Sequence, residues 1–376
     1  MSKKILALQM LRAIAVALVV LIHAAADRQI NISSNNFVEH FFNLKYWGFI
    51  GVDLFFCISG FIMTVVVPSY LKEGGWKKFA IKRVVRIVPL YYLITLFDLG
   101  IAVFKHHKQL DLQVLCKSLF FFPFFDQSTF VKPYTIVGWT LSYEMYFYLL
   151  VCLMICLKKN IYRNLLIIIA ALATVGTFLD PVNPLVKFLT SPLLLEFAMG
   201  VICGLIYERA NTIAFSNNTY KFVSVLLVVL GIGLSCISLF ILPTHNGNML
   251  GELTTVANNN VAALKRVIIM GVPSAIFLIG VVFSEKHFNI KIPYVLILCG
   301  DASYSCYLIH MHTYPAIAKV FNALHINTNI FLLLLIPICL GISVIFYRIV
   351  EMPLTRFAEK ITHRFLPQRK FVAKPV

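Results

Sequence analysis

Two side chains in the first apolar stretch define the chemistry open to this chain. The run MLRAIAVALVVLIHAAA, residues 10–26, carries Arg12 and His23 inside one apolar helix. Their separation of eleven residues sets them roughly 16 Å apart along a helix axis and nearly on one face. A charge at the centre of a membrane helix costs about 2.5–3.5 kcal/mol, so intramembrane Arg and His are candidates for function. The structural alternative has Arg12 reaching a headgroup and His23 hydrogen-bonded at the interface.

Further ionisable groups fall in other apolar segments: Asp53, Asp98, Glu144, Glu196, Asp301 and His310. Judged by position along the expected helices, Asp53, Glu144, His23 and His310 come from four helices to one depth in the outer half of the membrane. Two carboxylates and two imidazoles suit general acid/base chemistry. A carboxylate would fix a histidine tautomer through Nδ1 while Nε2 takes a proton. Structural polar networks also bury such groups. Asp98 and Glu196 have no partner legible in the sequence, and Asp301 suits a cap at a turn or broken helix. Ser142 and Tyr143 precede Glu144, and Ser303-Tyr304-Ser305 precedes Tyr307, where hydroxyls commonly bond neighbouring helices. No G-x-S-x-G elbow, P-loop, Rossmann glycine pattern or H-E-x-x-H occurs, so serine hydrolase, ATP-driven, nicotinamide and zincin chemistries lack their marks.

A second basic feature is PSYLKEGGWKKFAIKRVVRIVP, residues 68–89. Gly74-Gly75 breaks the chain, and residues 76–88 are expected to form an amphipathic helix on the membrane surface before Pro89 opens the third span. Its lysines read as a topogenic loop meeting anionic lipid. Arg83 and Arg86, three apart on one helical face, suit bidentate contact with phosphate.

The elements that position these residues follow from composition. The 376 residues are 60% hydrophobic, 14% aromatic and 13% charged, far from the roughly 45–50% apolar and 25% charged of soluble domains. The chain is therefore expected to be an all-α polytopic membrane protein. About ten spans form a single bundle, near 5–25, 47–67, 87–104, 137–157, 164–180, 188–207, 221–242, 266–283, 294–318 and 329–350. The expected division is a membrane domain over 1–358 and a basic tail over 359–376. The first segment carries Arg12 and no small-residue cleavage site, so it is expected to stay in the membrane.

The net charge of +17 lies in short loops between spans, a topology signal rather than a nucleic-acid surface. Twenty-two Lys and Arg fall on the side of the N-terminus and ten on the other, which puts both termini in the cytoplasm. The outer loop 105–137 carries FFFPFF at 120–125, an interfacial anchor or part of a re-entrant element, and the outer loop 243–263 is rich in Asn and Gly. The nine cysteines form no CxxC pair and no ligand cluster with histidine, so neither a disulfide framework nor a zinc site is supported. No internal repeat or matched pair of broken helices is visible, which weakens a transporter reading.

Six stretches in order resemble the membrane acyltransferase-3 family. They are Leu11-Arg12-Ala13 through His23, GVDLFFCISGF at 51–61, KRVVRIVPLYY at 82–92, WTLSYEMYFY at 139–148, SYSCYLIH at 303–310 and VEMP at 350–353. The resemblance covers residues 10–355 and is nearest to exopolysaccharide acetyltransferases. It implies transfer of an acyl group, most commonly acetyl from cytoplasmic acetyl-CoA, to a hydroxyl of a surface polysaccharide or lipid-linked oligosaccharide. The setting is the bacterial cytoplasmic membrane, with membrane lipids as neighbours, no nucleic acid and no metal; a homodimer is left open. Arg12 and His23 correspond to the family's Arg-x10-His feature, and Arg83 and Arg86 to its cytoplasmic arginine pair. Arg12, Arg83 and Arg86 are then expected at the donor. His23 is expected as general base, with Asp53 or Glu144 orienting it, and Trp139, Tyr304 and His310 at the substrate. A transporter or flippase for lipid-linked sugar and a non-catalytic scaffold or sensor are the other classes the buried charges allow.

Overall fold

A computed structural model describes residues 5–26, 44–107, 109–122, 125–126, 129–130, 133–210, 216–241 and 259–363. The first helix, α1 (Leu6–Ala26), contains no Gly or Pro and is apolar around most of its circumference. Helix α2 (Leu44–Val66) ends in a 3-10 turn, Val67–Tyr70, that contains Pro68. The chain reverses through Gly74, whose φ of 66° suits a residue without a Cβ. Helix α3 (Gly75–Gly100) then runs on into a π-turn, Ile101–Lys105.

Helix α3 differs from expectation. The surface helix and the third span are one continuous helix through Pro89. A proline in a membrane helix is tolerated where neighbouring helices satisfy the freed backbone groups. Arg83 and Arg86 therefore stand in the N-terminal half of a long apolar helix and line the bundle's interior cavity.

The short helix α4 (Leu112–Leu119) is capped by Asp111, whose side chain accepts from the Val114 amide. A two-residue antiparallel ladder, β1 (Phe125–Asp126) with β2 (Thr129–Phe130), follows. Within the aromatic run at 120–125, Phe121 stacks on Tyr91 with centroids 4.7 Å apart; residues 123–124 lie outside the described residues. Next come α5 (Gly138–Leu157), α6 (Ile161–Leu179), α7 (Pro184–Leu189) and α8 (Leu194–Ala210). Helix α9 (Asn217–Ile241) precedes most of the expected outer loop at 243–263, of which residues 242–258 lie outside the described residues. Helix α10 (Asn260–Arg266) continues through a π-turn, Val267–Gly271, into α11 (Val272–Phe288).

The expected span at 294–318 is divided. Helix α12 (Tyr294–Asp301) and helix α13 (Ser303–Ala323) meet at Ala302, whose φ of −83° and ψ of 0° depart from helical values. Asp301 ends α12 at this break, and the cap position of α13 is Ala302, with no side-chain cap bond. Helix α14 (Thr328–Phe346), a π-turn Tyr347–Glu351 and α15 (Met352–His363) complete the bundle. Helix α15 crosses the expected boundary at 358, and residues 364–376 of the tail lie outside the described residues. Nine helices among the described residues are long and apolar enough to cross a membrane, and the broken α12–α13 pair accompanies them.

Helices α1 and α2 pack along their length, with α8 on the far side of α2 and α12 and α13 against α1. Small residues permit the close approach. A Cβ at Gly60 would collide with the Phe197 carbonyl oxygen, and one at Gly200 with that of Cys57, so α2 and α8 meet backbone to backbone. Outward-facing Leu149, Val229 and Leu333 are exposed. Such an apolar exterior is what a bilayer covers.

Candidate functional site

A cavity opens between α1, α2, α3, α5 and α13. Its wall includes Arg12, Arg83, Arg86, Ser59, Glu144, Tyr148, Tyr304 and Tyr307. Arg12 makes no hydrogen bond or ion pair with another described residue, although it lies within an apolar bundle. An unpaired guanidinium in such surroundings is costly unless an anion or water meets it.

The other two arginines are fixed in different ways. Arg83 lies between two rings, its guanidinium carbon 5.2 Å from the Phe79 centroid and 5.1 Å from that of Tyr148, an arrangement worth about 0.5–2 kcal/mol. Its buried Nε has no hydrogen-bond partner among the described residues. Arg86 pairs with Glu351 at 3.2 Å. The Glu351 carboxylate also accepts from Ser305 Oγ at 2.6 Å and is 1% exposed. The glutamate of the VEMP stretch therefore holds Arg86 at the cavity wall, a role its sequence position did not disclose.

Glu144 belongs to the cavity and is not beside His23. Its Oε1 accepts from Tyr148 at 2.5 Å and from Ser59 at 3.0 Å. Asp53 is also elsewhere. It is fully buried, and its two oxygens accept from Arg266 Nε at 3.0 Å and Nη2 at 2.9 Å. Neither carboxylate orients His23. Asp53 and Ser59 are six residues apart, so they lie about 120° apart around α2. Ser59 faces the cavity while Asp53 faces α10 and α8. Glu196 lies beside this pair, fully buried, with no hydrogen-bond partner for either oxygen among the described residues. Arg266 was expected at a span's outer edge, but α10 begins at Asn260 and carries it more than a turn inward.

The two imidazoles do meet. His310 Nε2 lies 3.3 Å from His23 Nδ1, with ring centroids 4.9 Å apart. His23 Nδ1 is also 2.9 Å from the Val19 carbonyl oxygen. His310 is completely buried, its Nδ1 2.7 Å from the Tyr307 carbonyl oxygen and 3.3 Å from that of Cys306. His310, expected at the substrate, is buried beside His23 and is not on the cavity wall. Tyr307 links this pair to the cavity: it lines the cavity wall, and its ring centroid is 5.9 Å from that of His310. The Tyr307 hydroxyl is 2.6 Å from Thr140 Oγ1 and donates to the Val137 carbonyl oxygen.

Of the other residues expected at the substrate, Tyr304 lines the cavity, and its hydroxyl donates to the Ile87 carbonyl oxygen at 2.7 Å. Trp139 is not on the cavity wall; it lies edge-on to Phe56 and Tyr143 in an aromatic cluster. Asp98 has partners that the sequence did not reveal, accepting from Thr135 at 2.7 Å and pairing with His312 at 2.7 Å. Among the described residues no three His, Cys, Asp or Glu side chains gather as a metal site. The arrangement offers a cavity lined by three guanidiniums, of which only that of Arg86 has an ion pair among the described residues, next to a partly buried imidazole backed by a second imidazole.

Residues 5–348 match a family model described as an acyltransferase domain. The chain is 29% identical over 318 residues to the exopolysaccharide production protein ExoZ of Rhizobium meliloti (strain 1021), covering 82% of this chain and 90% of that protein. It is 26% identical over 191 residues to nodulation protein 10 of Rhizobium leguminosarum bv. viciae, covering 43% of this chain and 50% of that protein. No solved structure matches it. With the match running from before α1 to beyond the end of α14, the chain belongs to the acyltransferase-3 family and is a membrane acyltransferase.

Proposed function

We propose that this protein transfers an acetyl group from acetyl-CoA to a hydroxyl of a surface polysaccharide or lipid-linked sugar, in a bacterial cytoplasmic membrane with both termini inside. The observation that carries the proposal is the gathering of Arg12, Arg83 and Arg86 on one cavity, with the His23–His310 pair reached across Tyr307. Guanidinium forks suit the phosphates of a nucleotide thioester. The basic segments flanking α3 support an inner-face mouth for the cavity. The name of the Rhizobium meliloti relative refers to exopolysaccharide production, which favours a polysaccharide acceptor.

In this reading the phosphates of the donor rest against Arg83 and Arg86, and the pantetheine arm rises past Arg12. The rise from Arg12 to His23 is roughly 16 Å along α1, a span a pantetheine arm suits. Displacement of the Tyr307 ring opens the last step. His23 Nε2 takes the proton from the sugar hydroxyl as its oxygen attacks the thioester carbonyl carbon. The carbon–oxygen bond forms, the carbon–sulfur bond breaks, and the thiolate receives the proton from the imidazolium. The family resemblance and the site chemistry support this route together.

Mass spectrometry of surface glycans tests the reading. Cells with the protein should carry glycan heavier by whole acetyl groups than cells without it. Identical glycan masses in the two, with the protein present in the membrane, contradict the proposal.

A further inference from the structure

We propose that His310 is a positioning residue that fixes His23 in the tautomer bearing its proton on Nδ1 and leaves Nε2 as the base. The proposal rests on His23 acting as the base.

His310 Nδ1 faces two carbonyl oxygens, at 2.7 and 3.3 Å. A bare nitrogen lone pair there would be opposed by both oxygens, so Nδ1 carries hydrogen. A second proton on this fully buried ring would put a charge where no described carboxylate touches it, which burial disfavours. His310 Nε2 is therefore a lone pair, and it points at His23 Nδ1 from 3.3 Å. His23 Nδ1 also faces the Val19 carbonyl oxygen at 2.9 Å. Two acceptors converge on one nitrogen, which must be the donor. A neutral His23 then has its only lone pair on Nε2, the atom with no partner among the described residues.

When His23 Nε2 takes a proton, its Nδ1–H still points at the His310 lone pair. The neutral imidazole thus does for His23 what a carboxylate does in the usual histidine dyad, orienting the ring and meeting its Nδ1–H. The interior of α13 supports it: Cys306, Tyr307 and His310 occupy one turn, so the helix backbone itself sets the His310 tautomer.

The test compares His310→Leu with His310→Gln. Gln places an amide oxygen near the position of the imidazole Nε2 and preserves an acceptor for His23 Nδ1–H; Leu fills the volume and offers none. With acetyl-CoA as donor and equal amounts of membrane-inserted protein, His310→Leu should lower kcat about 100-fold or more. His310→Gln should recover to within about tenfold of the parent, and the donor KM should change little in either. Equal losses in the two variants, or a kcat for His310→Leu close to that of the parent, overturn the positioning role. His23→Ala separates the two ideas. If that variant remains active, the base reading fails; if it is inactive while His310→Leu is active, the base reading stands and the positioning role falls.

Discussion

At the scale of the residue, the arginines differ in what holds them. Arg86 is anchored by Glu351 at 3.2 Å, Arg83 lies between two rings, and Arg12 has no ion-pair partner among the described residues. Loss of either Arg83 or Arg86 is therefore expected to weaken donor binding. Replacing Arg83 or Arg86 by Ala should raise the dissociation constant for acetyl-CoA roughly tenfold or more, because a hydrogen bond to a charged group contributes about 1.5–3 kcal/mol. Replacing either by Lys should recover only part of it, since a point charge lacks the planar fork. Equilibrium binding to purified protein measures this, and unchanged affinity in all four variants would remove the phosphates from these arginines. Arg83, Arg86, Arg12 and His23 were each legible as single letters. Their partners were not, because Glu351 and His310 lie hundreds of positions away and no local spacing betrays them.

At the scale of the element, what the sequence conveyed was depth along a helix, and what it withheld was direction around the axis. Asp53, Glu144, His23 and His310 were assigned one height, yet only the two histidines meet. Glu144 turns into the cavity and Asp53 turns to Arg266. The start of α10 at Asn260, more than a turn before the expected 266, had the same kind of consequence for Arg266, which is 1% exposed. That pair joins α2 to α10 within a low-dielectric interior. Removing one member strands the other, a loss of about 3–5 kcal/mol, whereas replacing both by apolar groups is often nearly neutral. Arg266→Leu should therefore lower the thermal stability of detergent-solubilised protein sharply, and Asp53→Leu added to it should restore most of the loss. Equal instability of single and double variants would show that the pair does not act as a unit.

At the scale of the whole molecule, hydropathy alone disclosed a polytopic helical bundle, because runs near twenty apolar residues have few other fates. It did not disclose that the ninth expected span breaks at Ala302 or that α3 runs unbroken through Pro89. Both features depend on neighbouring helices. The continuous α3 matters most, since it lifts Arg83 and Arg86 from a surface position to the wall shared with Arg12. The bundle then has a cavity lined by three arginines at one height and an imidazole pair at another, with Tyr307 beside both. Transfer through the protein is the route proposed for that geometry.

Reconstitution in sealed vesicles tests this most directly, with labelled acetyl-CoA confined to the side bearing the basic segments and de-acetylated surface polysaccharide confined to the other. The account predicts label on the polysaccharide with the parent protein and almost none with His23→Ala inserted to the same level. Label transferred by His23→Ala at close to the parent rate, or transfer only when donor and acceptor share one side, would contradict it.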